Sequence, residues 1–341
     1  MHKLYPLFRP LLFAADPETA HAIVFRALDS AAALGIAQLA APRLKATPVR
    51  VMGIEFPNRV GLAAGLDKNA AHLRALATLG FGFLEAGTVT PRPQPGNAKP
   101  RMFRLERSDA LINRLGFNND GVDCFVENVR RSRYDGVLGV NIGRNFDTPN
   151  ARAADDYVAC LRKVYTQASY VTVNVSSPNT QGLRDLQADD AFGALLSRLK
   201  SEEAILAQRH GRRVPLAVKI APDLGAGAIE SMARLLVSHR IDGVIATNTT
   251  ISREGVEGER HADEAGGLSG RPLRGRSTAV IRALAKALDG ALPIIGVGGI
   301  FSGADAQEKI DAGAALVQIY TGLIYRGPAL VAQCVNALGD A

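Results

Sequence analysis

What most constrains this chain is a rhythm of short apolar runs, each closing on a polar residue or a glycine. The clearest is Tyr170-Val-Thr-Val-Asn-Val175, rich in the β-branched residues that suit a strand. It stops at Pro178, which has no N–H to continue a ladder. Similar runs are Asn58–Gly65, Phe83–Thr88, Gly136–Ile142, Pro215–Ile220, Gly243–Asn248, Pro293–Gly298 and Ala315–Tyr320. Runs this short and apolar suit parallel strands buried on both faces. Between them lie helix-like spans, Asn69–Leu79, Asp155–Ala168, Asp190–Gln208, Gly225–His239, Arg276–Leu288 and Ser302–Ala312. Eight strands alternating with helices predict an α/β chain folded as a (β/α)8 TIM barrel, entered through a hairpin-like start at Val49–Phe56. No strand leads into a Gly-x-Gly-x-x-Gly helix start, which disfavours a doubly wound sheet.

Polar residues gather at one end of this rhythm. Lys68, Thr88, Asn141, Asn174 with Ser177, Lys219, Thr247 with Asn248, Gly298-Gly299 and Tyr320-Thr321 each follow or close a strand. The carboxyl ends of barrel strands are where this architecture carries an active site. Gly298-Gly299 and Thr321-Gly322 allow backbone N–H groups to approach an anion such as a phosphate, or are simply tight turns. Gly266–Gly270 reads as part of a long loop able to close over the same group. Lys219 fits a Schiff-base lysine, a countercharge for an anionic cofactor, or a structural ion pair. Lys68 is an anion clamp or a first-turn lysine.

The segment Asn113-Arg-Leu-Gly-Phe-Asn-Asn119 is dense in amides, which offer a donor and an acceptor together. With Asn174, Asn179 and Asn248 it suits a small planar ligand bearing ring amides and a carboxylate, although Asx turns account for one or two such residues. Ser177 is the candidate base, or a turn serine ahead of Pro178. None of the six histidines stands at a strand end, so a Ser-His-Asp triad is disfavoured. A serine that removes a proton must pass its own on, and Thr180 or an ordered water is the nearest acceptor. Gln181-Gly-Leu-Arg184 follows as a candidate lid hinged at Gly182.

The first 45 residues differ from the rest. Leu4, Tyr5, Leu7, Phe8, Leu11, Leu12 and Phe13 cluster at roughly helical spacing beside Lys3 and Arg9, and Asp16-Pro17-Glu18 starts a second helix. This unit is a helical cap on the barrel or a set of helices lying in a membrane interface. No run reaches the roughly 18 apolar residues of a membrane span. The chain therefore divides into residues 1–45 and 46–341. Forty basic against 33 acidic residues give a net charge of +7, which favours anionic partners. Nucleic acid is disfavoured, because the basic residues are dispersed and there is no tryptophan for base stacking. Cys124, Cys160 and Cys334 have no metal-ligand spacing and read as free thiols in a reducing compartment.

Asn174-Val-Ser-Ser-Pro-Asn-Thr180, Gly87-Thr-Val-Thr-Pro-Arg-Pro-Gln-Pro-Gly-Asn97, Asn113–Asn119 and Ile294-Ile-Gly-Val-Gly-Gly-Ile300 together resemble dihydroorotate dehydrogenases, in the same order along the chain. Serine at 177 and the helical extension are similar to the membrane-associated, quinone-using class 2 enzymes. The resemblance implies bound FMN and oxidation of (S)-dihydroorotate to orotate in pyrimidine synthesis, with Ser177 as base. It implies FMN contacts at Ala63, Ala64, Gly65, Leu66, Asp67, Lys68, Thr88, Asn141, Asn174, Lys219, Thr247, Gly270, Gly299, Tyr320 and Thr321. Lys219 would stabilise the reduced flavin anion. The substrate would be held by Lys68, Asn113, Arg114, Leu115, Gly116, Phe117, Asn174, Asn179, Asn248 and Thr249. His21, Arg104 and Tyr320 would meet the head of a ubiquinone or menaquinone. No metal is implied. The expected location is the cytoplasmic side of a bacterial inner membrane, bound peripherally through residues 1–45.

Overall fold

A computed structural model of the protein describes residues 5–39, 41, 44, 46–180, 182–187 and 189–339. Lys3, Leu4 and the lid residue Gln181 lie outside the described residues. The chain begins with α1 (Tyr5–Ala14), α2 (Pro17–Ala33) and α3 (Ile36–Leu39), then the hairpin β1 (Val49–Val51) and β2 (Ile54–Phe56). There follow β3 (Val60–Leu62), α4 (Leu73–Ala77), β4 (Phe83–Val89), β5 (Met102–Leu105), β6 (Ala110–Asn113), α5 (Gly121–Ser132), β7 (Val137–Ile142), α6 (Ala153–Val164) and β8 (Tyr170–Asn174). The second half comprises α7 (Asp189–His210), β9 (Leu216–Ile220), α8 (Ala226–Ser238), β10 (Gly243–Ala246), β11 (Gly267–Gly270), α9 (Leu273–Leu288), β12 (Ile294–Val297), α10 (Gly303–Asp311), β13 (Leu316–Ile319), α11 (Thr321–Arg326) and α12 (Ala329–Gly339).

Among the described residues, β3, β4, β7, β8, β9, β10, β12 and β13 close a barrel in that order, every neighbouring pair parallel. These are the eight apolar runs of the sequence, seven of them trimmed by a residue or more and Phe83–Thr88 extended by one to Val89. The barrel's amino end is plugged by Val51 and Phe56 of the hairpin, packed with Phe83, Tyr170, Ala217, Ile245, Ile295 and Leu316. Phe56 meets Phe83 edge-on with ring centroids 5.1 Å apart. Gly61 makes room for that layer, since a Cβ there would lie 2.3 Å from the Phe83 ring. With one end filled, only the carboxyl end can open into a cavity.

Two local readings of the sequence are corrected. The helix expected over Asn69–Leu79 is confined to α4, because the Asp67 carboxylate accepts from the N–H groups of Ala71 (2.9 Å) and His72 (2.8 Å) and turns the preceding chain. Gly266–Gly270, read as loop, contains strand β11. It pairs antiparallel with β6, which pairs with β5, in a small sheet beside the barrel mouth. A Cβ at Gly267 would lie 2.0 Å from Thr249 Oγ1, so glycine lets this sheet close on the loop after β10.

The N-terminal helices are docked as well as exposed. Asp16 caps α2 by accepting from Thr19 N, with proline at the first turn. Arg104 of β5 donates to the carbonyls of Phe13 (3.1 Å) and Ala15 (2.7 Å), and Arg101 makes a forked ion pair with Glu18 of α2. The outer side of α1 and α2 leaves Leu7, Phe8, Leu11, Ile23 and Val24 exposed, and Leu34 and Ile36 continue that surface. No described helix is long and apolar enough to cross a membrane.

Candidate active site

At the carboxyl end of the barrel lies a cavity of about 970 Å³ including its mouth. Of the residues singled out in the sequence, Ala63, Ala64, Gly65, Lys68, Thr88, Asn174, Ser177, Lys219, Thr247, Gly270, Gly299, Tyr320 and Thr321 line it, as do Asn113, Leu115, Gly116, Phe117, Asn179, Asn248 and Thr249. Strand geometry accounts for the convergence. Alternate side chains of each strand point inward, and every strand here ends at the same rim.

The floor is a connected set of amides. Thr88 Oγ1 donates to Asn141 Oδ1 (2.6 Å), and Asn174 Nδ2 reaches both Thr88 Oγ1 (3.0 Å) and Asn141 Oδ1 (3.2 Å). Asn141 itself is fully buried beneath the lining, its Nδ2 donating to Glu85 Oε1 at 2.8 Å. On one wall Asn248 Nδ2 donates to Ser176 Oγ (3.0 Å); on another Asn179 Nδ2 donates to Asn113 Oδ1 (3.1 Å). Asn119 does the work of an Asx turn instead. Its oxygen accepts from Gly121 N and its amide donates to Phe117 O, fixing Phe117 in a left-handed conformation (φ 54°). The amide-rich segment thus divides between ligand-facing and turn-forming residues.

Ser177 is buried at the rim. Its Oγ accepts weakly from Asn179 N (3.3 Å), and its own proton finds no acceptor among the described residues. Thr180 Oγ1, three residues on, is likewise buried with no partner among the described residues. Two lysines supply charge. Lys68 Nζ donates to Gly65 O (2.9 Å), and burial together with the nearby Arg101 cation lowers its pKa to about 8. Lys219 is buried, with no hydrogen-bond or ion-pair partner among the described residues. Burial pushes its pKa down and the Glu85 carboxylate pulls it back up. A cation kept this dry without a contact is poised for an anionic or electron-rich group in the cavity. Tyr320 also borders the cavity, its hydroxyl pushed up to about 12 by burial.

Gly298 and Gly299 turn the chain after β12 at φ 124° and 71°. A Cβ on Gly299 would stand 2.4 Å from Arg274 Cα, so the start of α9 can press against this turn only because it is glycine. Backbone, rather than side chain, therefore faces the cavity, as a phosphate requires.

Several residues stand elsewhere. Arg114 turns its guanidinium to Glu264 (2.7 Å) and Pro100 O (2.9 Å) and lies over the Phe103 ring. Leu66 and Asp67 pack behind the lining. His21 lies against Phe25 with Nε2 2.8 Å from Leu66 O, and burial lowers its pKa. Arg104 is spent on the carbonyls of Leu12, Phe13 and Ala15 at the end of α1, so His21 and Arg104 are held by different partners. Lining residues that the sequence reading omitted include Ser269, which accepts from Thr321 Oγ1 at 2.9 Å, and Gln318. A signal existed for Gln318 and for Glu85, since each interrupts an otherwise apolar strand.

The cavity can therefore hold a flat, amide-bearing ring against Lys219 and a phosphate at the glycine turn, with a small acidic ring beside Ser177. The dihydroorotate dehydrogenase family matches residues 46–341. The dihydroorotate dehydrogenase (quinone) of Thiobacillus denitrificans is 64% identical over 99% of this chain and 100% of its own length; that of Chromobacterium violaceum is 63% identical over 98% and 97%. A crystal structure of DHODH from Eimeria tenella in complex with ferulenol superimposes with a TM-score of 0.86 at 39% identity, covering 95% of this chain and 90% of that one. The chain belongs to the dihydroorotate dehydrogenase family, in its quinone-dependent class.

Proposed function

We propose that this protein oxidises (S)-dihydroorotate to orotate with FMN as its bound cofactor and a membrane quinone as the final acceptor. The observation that carries this reading is the meeting of Ser177, the Asn113, Asn174, Asn179 and Asn248 amides and the unpartnered Lys219 in one cavity. FMN fits the residues present: the buried Lys219 cation and Gln318 Oε1, which has no partner among the described residues, line the cavity and would hold its ring, and the Gly298-Gly299 turn suits its phosphate. Ala63, Ala64, Gly65, Lys68, Thr88, Asn174, Thr247, Gly270, Tyr320 and Thr321 would complete its cradle. When bound, FMN supplies the two-electron acceptor.

The chain's own residues supply position and proton transfer. Lys68 meets the substrate carboxylate, and the four asparagines pair with the ring amides, each offering the donor and acceptor that such a ring presents. Leu115 and Phe117 press on the ring and exclude water. Ser177 takes the C5 proton. Because a serine is a weak base, its own proton must leave in the same event, and the unpartnered Thr180 hydroxyl supports a relay through that residue.

Residues 1–45 form a separate unit in this reading, serving the barrel of residues 46–341. His21, Arg104 and Tyr320 border the path of the quinone head, and the exposed Leu7, Phe8, Leu11, Ile23 and Val24 rest in the bilayer interface on the cytoplasmic side of the inner membrane. The test is dihydroorotate oxidation by the purified, yellow protein with a short-chain ubiquinone, fumarate or NAD. Turnover with the quinone well above the other two is expected. A colourless native preparation, or faster turnover with fumarate, overturns the reading.

A further inference from the structure

Glu85 sits in the middle of the barrel and no role described so far uses it. It is fully buried on β4, and its carboxylate is met by three neutral donors. Asn141 Nδ2 reaches Oε1 at 2.8 Å, while Tyr170 OH (2.9 Å) and Gln318 Nε2 (2.7 Å) reach Oε2. No arginine or lysine hydrogen-bonds it among the described residues. Lys219, in turn, is a buried cation without a hydrogen bond among the described residues. Both lie inside one barrel, and the Glu85 carboxylate acts on the Lys219 ammonium. Asn141 joins Glu85 to Asn174, and Asn174 is the strand partner of Lys219 in the β8–β9 register. A lone charge inside a barrel is costly, and two opposite charges in the same interior offset one another.

We propose that Glu85 is a positioning residue for the flavin site: its carboxylate is the fixed countercharge of Lys219 and orients the Asn141 amide that carries Thr88 and Asn174. The inference rests on the flavin reading above. Neutral donors hold the negative charge in place without cancelling it, so its field acts on Lys219 through the protein interior, where screening is weak. The groups facing this pair are Tyr170 on β8, whose hydroxyl burial and the carboxylate push far up, and the neutral Asn141 and Gln318. None of the three takes up charge in the neutral range. Burial lowers the Lys219 pKa and the Glu85 carboxylate raises it. Removing that carboxylate lowers it further, and an electron-rich reduced flavin would raise it again, coupling uptake of a proton to reduction.

The experiment is a dye-mediated spectroelectrochemical titration of the bound flavin against pH in wild type and Glu85→Gln holoenzyme. The variant is expected to show one additional proton taken up per two electrons in the neutral range. That is a tenfold change per pH unit, about 30 mV, absent from wild type and from Glu85→Asp, and absent again in the double variant Glu85→Gln/Lys219→Met. A merely structural role would alter flavin content or melting temperature and leave that slope unchanged. Superimposable slopes in wild type and Glu85→Gln overturn the inference. If Glu85→Gln does not fold, the double variant decides: recovery of folded, yellow protein supports the pair, and failure of both overturns it. A colourless wild type refutes the flavin reading itself, which is a different outcome.

Discussion

Arg184 and Asp223 tie together the two loops that carry the substrate-facing residues. Their ion pair spans 2.9 Å, while the same guanidinium donates to Ser176 O (3.1 Å) and to Thr249 O (2.9 Å). Asp223 also accepts from Ile251 N (3.1 Å) and from the Thr250 hydroxyl. One half-buried side chain thus holds the backbone beside the base against the backbone of the opposite wall. The segment read as a hinged lid is anchored at Arg184.

Replacing that residue gives the first prediction. Arg184→Ala leaves two backbone carbonyls and the Asp223 carboxylate without their shared donor, a cost of about 2 kcal/mol for charge-assisted bonds in a partly buried site. FMN content should be unchanged, while kcat/KM falls by roughly tenfold to a hundredfold and cleavage by protease near residues 180–187 accelerates. Steady-state kinetics with limited proteolysis checks both arms; unchanged proteolysis would mean that the loop is held by other contacts.

Ser177→Ala should retain FMN, because the serine contributes only a hydroxyl at the cavity rim. Loss of the proton acceptor should lower turnover by about 10² to 10⁴-fold. Stopped-flow reduction of the flavin by dihydroorotate measures this directly. Thr180→Val should give a smaller loss in the same step, since water can substitute in the relay.

Lys68 predicts the pH dependence of substrate binding. Its pKa is lowered to about 8, so it carries its charge below that value and loses it above. An anionic substrate binds the charged form, hence KM for dihydroorotate should rise as pH climbs through about 8. Binding raises the lysine's pKa by linkage, so kcat should be flatter than kcat/KM over the same range. Lys68→Met should abolish the rise.

Glu18→Gln tests how the helical unit is held. The Arg101 side chain is 8% exposed, so removing the carboxylate leaves a buried guanidinium without its ion partner, and losses of about 3 to 5 kcal/mol are usual for such a break. Quinone reduction should suffer more than flavin content. The ratio of quinone-linked to dye-linked activity at constant flavin reports it.

The outer side of α1 predicts membrane binding. Leu7, Phe8 and Leu11 are each more than half exposed. The triple change to serine should reduce partitioning onto anionic vesicles by tenfold or more, given about 1.5 to 3 kcal/mol for burying one such side chain. Sedimentation with vesicles checks this; equal partitioning would place the membrane contact elsewhere.

The sequence by itself determined the barrel. Parallel strands buried on both faces must be continuous apolar runs, and their polar ends must share one rim, so the order of runs was enough to anticipate Lys68, Thr88, Asn174, Ser177, Lys219 and Thr321 in one place. Only the tertiary structure decided how each side chain is spent. Asn119 turns inward to fix a loop while Asn113 faces the cavity, because amide hydrogen bonds depend on partners distant in the chain. Arg114 leaves the cavity for Glu264, and β11 forms only because β6 offers it an edge. Glu85 and Gln318 stand among apolar neighbours in sequence, and their charge and amide make sense only in a closed barrel, where they meet Asn141 and Tyr170 from strands that are far apart along the chain.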